Sequence, residues 1–131
     1  MESIVIPMVV HILLCSALYA MLTVARAPKV WGIGNRSDGS NPYESVQVKI
    51  SANLSNQFEW PLFFHVACIL IVLKDLESST FYILMAWIFV AGRVLHSAVQ
   101  IFHSSIILRG VVFTINFVAV LAMWSKLVVD I

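Results

Sequence analysis

The stretch SNQFEWPLFFHVACILIVL, Ser55 to Leu73, decides how the whole chain is read. Its second half is an apolar run interrupted only by His65. Its first half carries a carboxylate, Glu59, with two amides, Asn56 and Gln57, just before it. Only 11% of the 131 residues are charged and 60% are hydrophobic, so a charge inside such a run needs a reason. The mean hydropathy of +0.93 lies outside the soluble globular range.

Three other stretches are equally apolar. The four spans run from about Ile4 to Ala25, Ile50 to Leu73, Phe81 to Phe102 and Gly110 to Val129. Each is close to the ~20 residues a helix needs to cross a bilayer. The expected fold is an all-α integral membrane protein, a four-transmembrane-helix bundle in a single domain over residues 1–131. The short connections KDLESST and HSSIILR make consecutive spans antiparallel neighbours. Residues 26–49 form a longer polar connection, which Gly, Pro, Asn and Ser mark as irregular. Pro7 sits in a first helical turn, where a missing N–H costs little. Pro61 is interior to the second span and predicts a kink.

The lead-in MES has an acid and no Lys or Arg, and the apolar run after it is long, so the first span reads as an uncleaved membrane helix. Cys15 and Cys68 lie in separate apolar runs and suggest neither a disulfide framework nor a zinc site. A net charge of +1 gives no basic field for nucleic acid. Arg26, Lys29, Arg36, Lys49 and Arg109 fall on one side of the membrane, against Lys74 and Lys126 on the other. The positive-inside rule places both termini on the non-cytoplasmic side and the 26–49 connection in the cytoplasm. The short chain reads as bacterial, which makes the expected location the inner membrane.

Charges within the spans carry the functional signal. A charged side chain at mid-bilayer costs ~2.5–3.5 kcal/mol on insertion scales, so it faces the bundle interior and finds partners. At 1.5 Å per residue Glu59 lies ~21 Å from the Leu73 end of its span. Arg93 and His96 lie ~18 Å and ~22 Å from the Phe81 end, at the same level. Arg109 enters the fourth span near that layer. Arg93, His96 and Gln100 share one helical stripe, and Asn53, Asn56 and Glu59 share a broader face. A Glu59–Arg93 pair locking two helices is the plain structural alternative. It leaves the second arginine unneutralised, and surplus positive charge beside a membrane cavity suits an anionic ligand. His11 and His65 fall at similar depth in the other half, where they read as satisfied histidines or as axial ligands of a haem. The tryptophans Trp31, Trp60, Trp87 and Trp124 read as interface anchors or packing.

NQFE at Asn56–Glu59, GRVLHS at Gly92–Ser97 and LRGVVFT at Leu108–Thr114, in that order, resemble the MAPEG superfamily, membrane-associated proteins in eicosanoid and glutathione metabolism. The resemblance covers nearly the whole chain and implies a homotrimer with glutathione bound between protomers in the cytoplasmic half of the membrane. It further implies that Asn56, Glu59, Arg93, His96 and, on the same stripe, Gln100 hold glutathione, and that Arg109 stabilises its thiolate. A nearby guanidinium favours the anion of a thiol whose free pKa is ~8.5. The implied activity is a glutathione-dependent transferase or peroxidase acting on hydrophobic, lipid-like electrophiles from the bilayer.

The chain departs from the pattern at two positions. Ala52 stands where many of the family's enzymes have arginine, and Gln100 where many have tyrosine. These departures favour a second reading, a non-catalytic lipid-binding or partner-presenting member. A small haem protein built on His11 and His65 is the third.

Overall fold

The computed structural model describes residues 3–131; Met1 and Glu2, on which the reading of the MES lead-in rested, lie outside the described residues. The described chain holds five helices: α1 Val5–Trp31, α2 Glu44–Asn56, α3 Pro61–Leu73, α4 Thr80–Phe102 and α5 Ile106–Asp130. Helices α2 and α3 are consecutive and together form one crossing, so the bundle has four helices long and apolar enough to span a membrane.

The observed boundaries differ from the sequence reading in four places, three of them for a plain local reason. First, α1 does not stop at Ala25 but continues through Arg26 and Pro28 to Trp31. Pro28 removes one backbone donor without preventing the turn from closing. The helix ends where Gly32 adopts φ 66° and its N–H reaches the Pro28 carbonyl at 3.2 Å, a left-handed cap that suits glycine. At the other end of the connection α2 begins at Glu44, six residues before Ile50, so the irregular connection is residues 32–43, not 26–49. Within it the amide and hydroxyl of Ser40 both donate to Asp38 Oδ1, at 2.9 and 2.6 Å, and hold that carboxyl below its usual pKa.

Second, the kink expected at Pro61 is a break. Gln57 to Trp60 leave the α-helical ladder, and Pro61 becomes the first residue of α3. The amides of Gln57, Phe58 and Glu59 instead reach back three residues, to Leu54, Ser55 and Asn56. Proline cannot donate to the Gln57 carbonyl and its ring crowds that oxygen, so the preceding turn tightens towards 3₁₀ geometry. Third, α5 begins at Ile106, four residues before Gly110, with the Ser105 hydroxyl accepting from the Leu108 amide at 3.2 Å as an N-cap.

The exterior of the bundle is apolar. Leu13 (61% exposed), Val24 (60%) and Val118 (55%) all face outward. A water-soluble domain rarely shows such a continuous apolar surface; a bilayer is its natural solvent. The interior has two apolar clusters. One joins α3, α4 and α5 through Phe64, Ile71, Phe89, Val120 and Met123, with Phe64 stacked on Phe89 at 4.1 Å. The other joins α1, α2 and α4 through Leu18, Leu22, Ile50, Leu54 and Ile101. At the far end of the first cluster the buried Tyr82 hydroxyl donates to Asp130 at 2.6 Å, and Lys126 pairs with the same carboxylate at 2.9 Å.

Candidate functional site

Between the two apolar clusters lies a layer of buried polar side chains: His11 from α1, Asn53 and Gln57 from the second crossing, Arg93, His96 and Ser97 from α4, and Asn116 from α5. Gln57 falls between Leu54 of one cluster and Phe64 of the other, and Arg93, His96 and Ser97 fall between Val90 and Ile101 in the same way. The expected level at which separate segments deliver polar groups is therefore present, with a different membership.

Its hub is Gln57, which the sequence reading noted only as an amide next to Glu59. Gln57 Oε1 accepts from Arg93 Nε at 3.1 Å and from His11 Nε2 at 2.9 Å. Its amide nitrogen donates to Asn53 Oδ1 at 3.2 Å and to Ser97 Oγ at 3.3 Å. One side chain thus ties α1, α2 and α4 together. Asn53 in turn donates to Gln100 Oε1 at 2.8 Å, and the half-buried Asn56 donates to the same oxygen at 3.5 Å.

Glu59 is exposed and forms no ion pair with Arg93. The reason is angular. Residues two apart lie on opposite sides of a helical turn, about 200° apart in an α-helix and about 240° in a 3₁₀ turn. With Gln57 directed inward, Glu59 must point out. The three-residue spacing of Asn53, Asn56 and Glu59 moves from the interior, through the flank, to the surface as the chain passes the break.

Arg93 is 1% exposed, and among the described residues its Nη2 has no hydrogen-bond partner; His96 Nδ1, buried beside Phe113, has none either. Asn116 is fully buried against Gly92, and both its amide atoms lack a partner among the described residues. Arg109 is exposed, outside the buried layer. It lines a cavity of about 300 Å³ with Lys49, Ala52, Gln100, His103 and Ser105. The predicted residues therefore divide. Arg93 and His96 are buried in the layer, Arg109 sits on the open cavity, and Gln100 belongs to both. Glu59 stands apart.

The two histidines expected at equal depth do meet. His11 Nδ1 and His65 Nε2 are 2.9 Å apart, in a direct hydrogen bond. A metal between two such nitrogens needs about 4 Å, two bonds of ~2.0 Å, so this arrangement does not fit axial ligation of a haem. Trp60 stacks on Phe117 at 4.6 Å and Trp124 donates to the Phe63 carbonyl at 3.1 Å, so these two act in packing.

Searches of curated proteins and of solved structures each returned no significant match. A family model does match, and it spans residues 4–129, all four crossings and the polar layer they enclose. The chain folds as an all-helical bundle of four membrane-length crossings with Gly92, Arg93 and His96 buried on the third, and with the family match over nearly its whole length it is an integral membrane protein that belongs to the MAPEG family.

Proposed function

We propose that the protein is a glutathione-dependent transferase or peroxidase for hydrophobic electrophiles. The observation that carries this reading is the shared position of Gln100. It receives the buried amide network through Asn53 and also lines the cationic cavity that holds Lys49 and Arg109. A tripeptide with two carboxylates, an amine and a thiol needs such a mixture of fixed amides and guanidiniums. The unpartnered Arg93 Nη2 and His96 Nδ1 are further groups with hydrogen-bonding capacity to spare.

Family membership supports a homotrimer with the ligand between copies. The exposed positions of Glu59 and Arg109 suit that arrangement, since a neighbouring copy would bring further groups to them. By the positive-inside rule the Lys49–Arg109 end faces the cytoplasm.

In this reading Asn56, Gln100, Arg93, His96 and Glu59 hold glutathione, and Arg109 faces its sulfur. The guanidinium favours the thiolate over the thiol. The thiolate attacks an electrophilic carbon: a C–S bond forms and the displaced electron pair leaves with the departing group, or passes to a carbonyl or epoxide oxygen that takes up a proton. With a lipid hydroperoxide the sulfur attacks oxygen and the O–O bond breaks. One glutathione becomes a sulfenic acid, the lipid an alcohol, and a second glutathione releases the disulfide and water.

Calorimetry with purified protein tests binding directly; absence of any heat at millimolar glutathione would sink the proposal. Arg109→Ala is expected to lower turnover by about tenfold or more, the factor that corresponds to ~1.4 kcal/mol of lost stabilisation of the anion. The ultraviolet thiolate absorbance of bound glutathione should shift to higher pH in the same variant. Unchanged turnover and an unchanged thiolate titration would remove Arg109 from the chemistry.

A second reading has its own observation. Ala52, exposed on the same cavity, brings it neither charge nor hydrogen-bonding side chain. A non-catalytic lipid-binding member of the family would retain the buried layer for stability and need no activated thiol. In that case Arg109→Ala alters lipid affinity alone.

A further inference from the structure

A second cavity, of about 310 Å³, lies against the outer side of the polar layer. Its walls include Ile12, Tyr19, Phe58 and Leu62, all more than half exposed on the apolar face of the bundle. Its polar back is made by His11, Gln57 and His65. It is separate from the Lys49–Arg109 cavity, which shares none of these residues.

The hydrogen-bond polarity of that back wall can be deduced from a single group. A guanidinium only donates, so the Gln57 atom facing Arg93 Nε must be its oxygen. That oxygen also faces His11 Nε2, which must therefore carry a proton. In a neutral imidazole the other nitrogen is then bare, so His11 Nδ1 accepts, and His65 Nε2 is the donor across the 2.9 Å contact. The same rule leaves His65 Nδ1 bare. It has no hydrogen-bond partner among the described residues, and His65 lines the cavity. A chain of four groups beginning at Arg93 thus fixes the last one as an acceptor.

We propose that this cavity binds an uncharged amphiphile from the bilayer that carries a hydroxyl donor on an apolar body, a phenol or long-chain alcohol, with its O–H donated to His65 Nδ1. The apolar walls and the opening onto the outer face suit the body. The orienting network selects a donor over an acceptor at the head, because an ether or ester oxygen there would face a bare nitrogen. The inference does not depend on glutathione binding at the other cavity.

Cys15 also lines this cavity and is half-buried, whereas Cys68 is fully buried, so alkylation of Cys15 reports occupancy. The experiment follows N-ethylmaleimide labelling of each cysteine by mass spectrometry, on the full chain in detergent micelles. It compares para-nonylphenol with para-nonylanisole, in which a methyl group replaces the donated hydrogen. Nonylphenol is expected to protect Cys15 at a mole fraction about tenfold lower than nonylanisole, the factor worth one hydrogen bond. In His65→Phe the difference should vanish, with continued protection of Cys68 showing that the bundle is intact. Equal protection by the two compounds in the wild-type chain, or none by either, overturns the proposal. So does a preference for the phenol that survives in His65→Phe. The wild-type comparison stands even if the variant does not fold.

Discussion

Gln57→Leu is expected to cost about 3 kcal/mol of folding stability, one of the two largest effects predicted for a single substitution in this chain. Four hydrogen bonds end at this side chain, from or to Arg93, His11, Asn53 and Ser97. Interhelical hydrogen bonds in membrane proteins contribute only ~0.6 kcal/mol each on average, because the unfolded chain in the membrane also finds partners. The neutral bonds alone would account for about 2 kcal/mol on that scale. Arg93 raises the total. Its guanidinium is 1% exposed and already has one unpartnered nitrogen, so losing the Nε acceptor leaves a buried charge less satisfied still.

Two further variants separate this account from simple packing loss. Gln57→Glu retains an acceptor for Arg93 and His11, adds a countercharge, and loses the two donated bonds; its cost should stay near 1 kcal/mol, about two neutral membrane bonds. Arg93→Met combined with Gln57→Leu removes the charge together with its acceptor and should be more stable than Gln57→Leu alone. Reversible unfolding of the detergent-solubilised protein with sodium dodecyl sulfate measures all three. If Gln57→Leu unfolds at the wild-type midpoint, Gln57 is not the hub.

The contrast between Gln57 and Glu59 shows what the sequence could reveal. Depth in a membrane is a sum of rises of 1.5 Å, and a local break changes that sum little. Arg93 and His96 are therefore legible from the chain alone as one layer, and His11 and His65 as residues of similar depth. Azimuth is less forgiving, since each residue turns the helix by about 100° and a tightened turn rotates all that follows. Pro61 signals such a break, and the face shared by Asn53 and Asn56 does not continue through it to Glu59. The charge drew attention to Glu59, whereas the interior had selected the neutral amide two residues earlier. An uncharged amide can both donate and accept, which a carboxylate cannot do when ionised, and the layer needs both from one residue. The extension of α1 past Ala25 was hidden for a different reason. Arg26, Pro28 and Lys29 are the composition of a loop, and only the closing turn at Gly32 marks the true end.

Gly92→Val is the other large expected effect, and it tests why glycine stands before the buried arginine. A Cβ built at Gly92 collides with Asn116 Oδ1 and lies 3.0 Å from Asn116 Cγ, so the helices α4 and α5 meet there through a glycine-sized gap. Small residues at such crossings let membrane helices approach closely. Asn116 is fully buried, which limits where its amide can move. Valine adds three carbons where there is room for none, and the cost should be about 3 kcal/mol, the upper part of the range for overpacked cores. The compensating change is Asn116→Ala. On its own it should be close to neutral, because both amide atoms lack partners and their removal relieves buried polar groups while leaving a small void. Combined with Gly92→Val it should recover about 1–2 kcal/mol, the size of coupling expected between side chains in direct contact. Additive losses in that double variant would mean that the valine collides with something other than Asn116. A neutral Gly92→Val would mean that α4 and α5 can separate at this level without loss. Arg93 and His96 would then owe their positions to the Gln57 side of the layer alone.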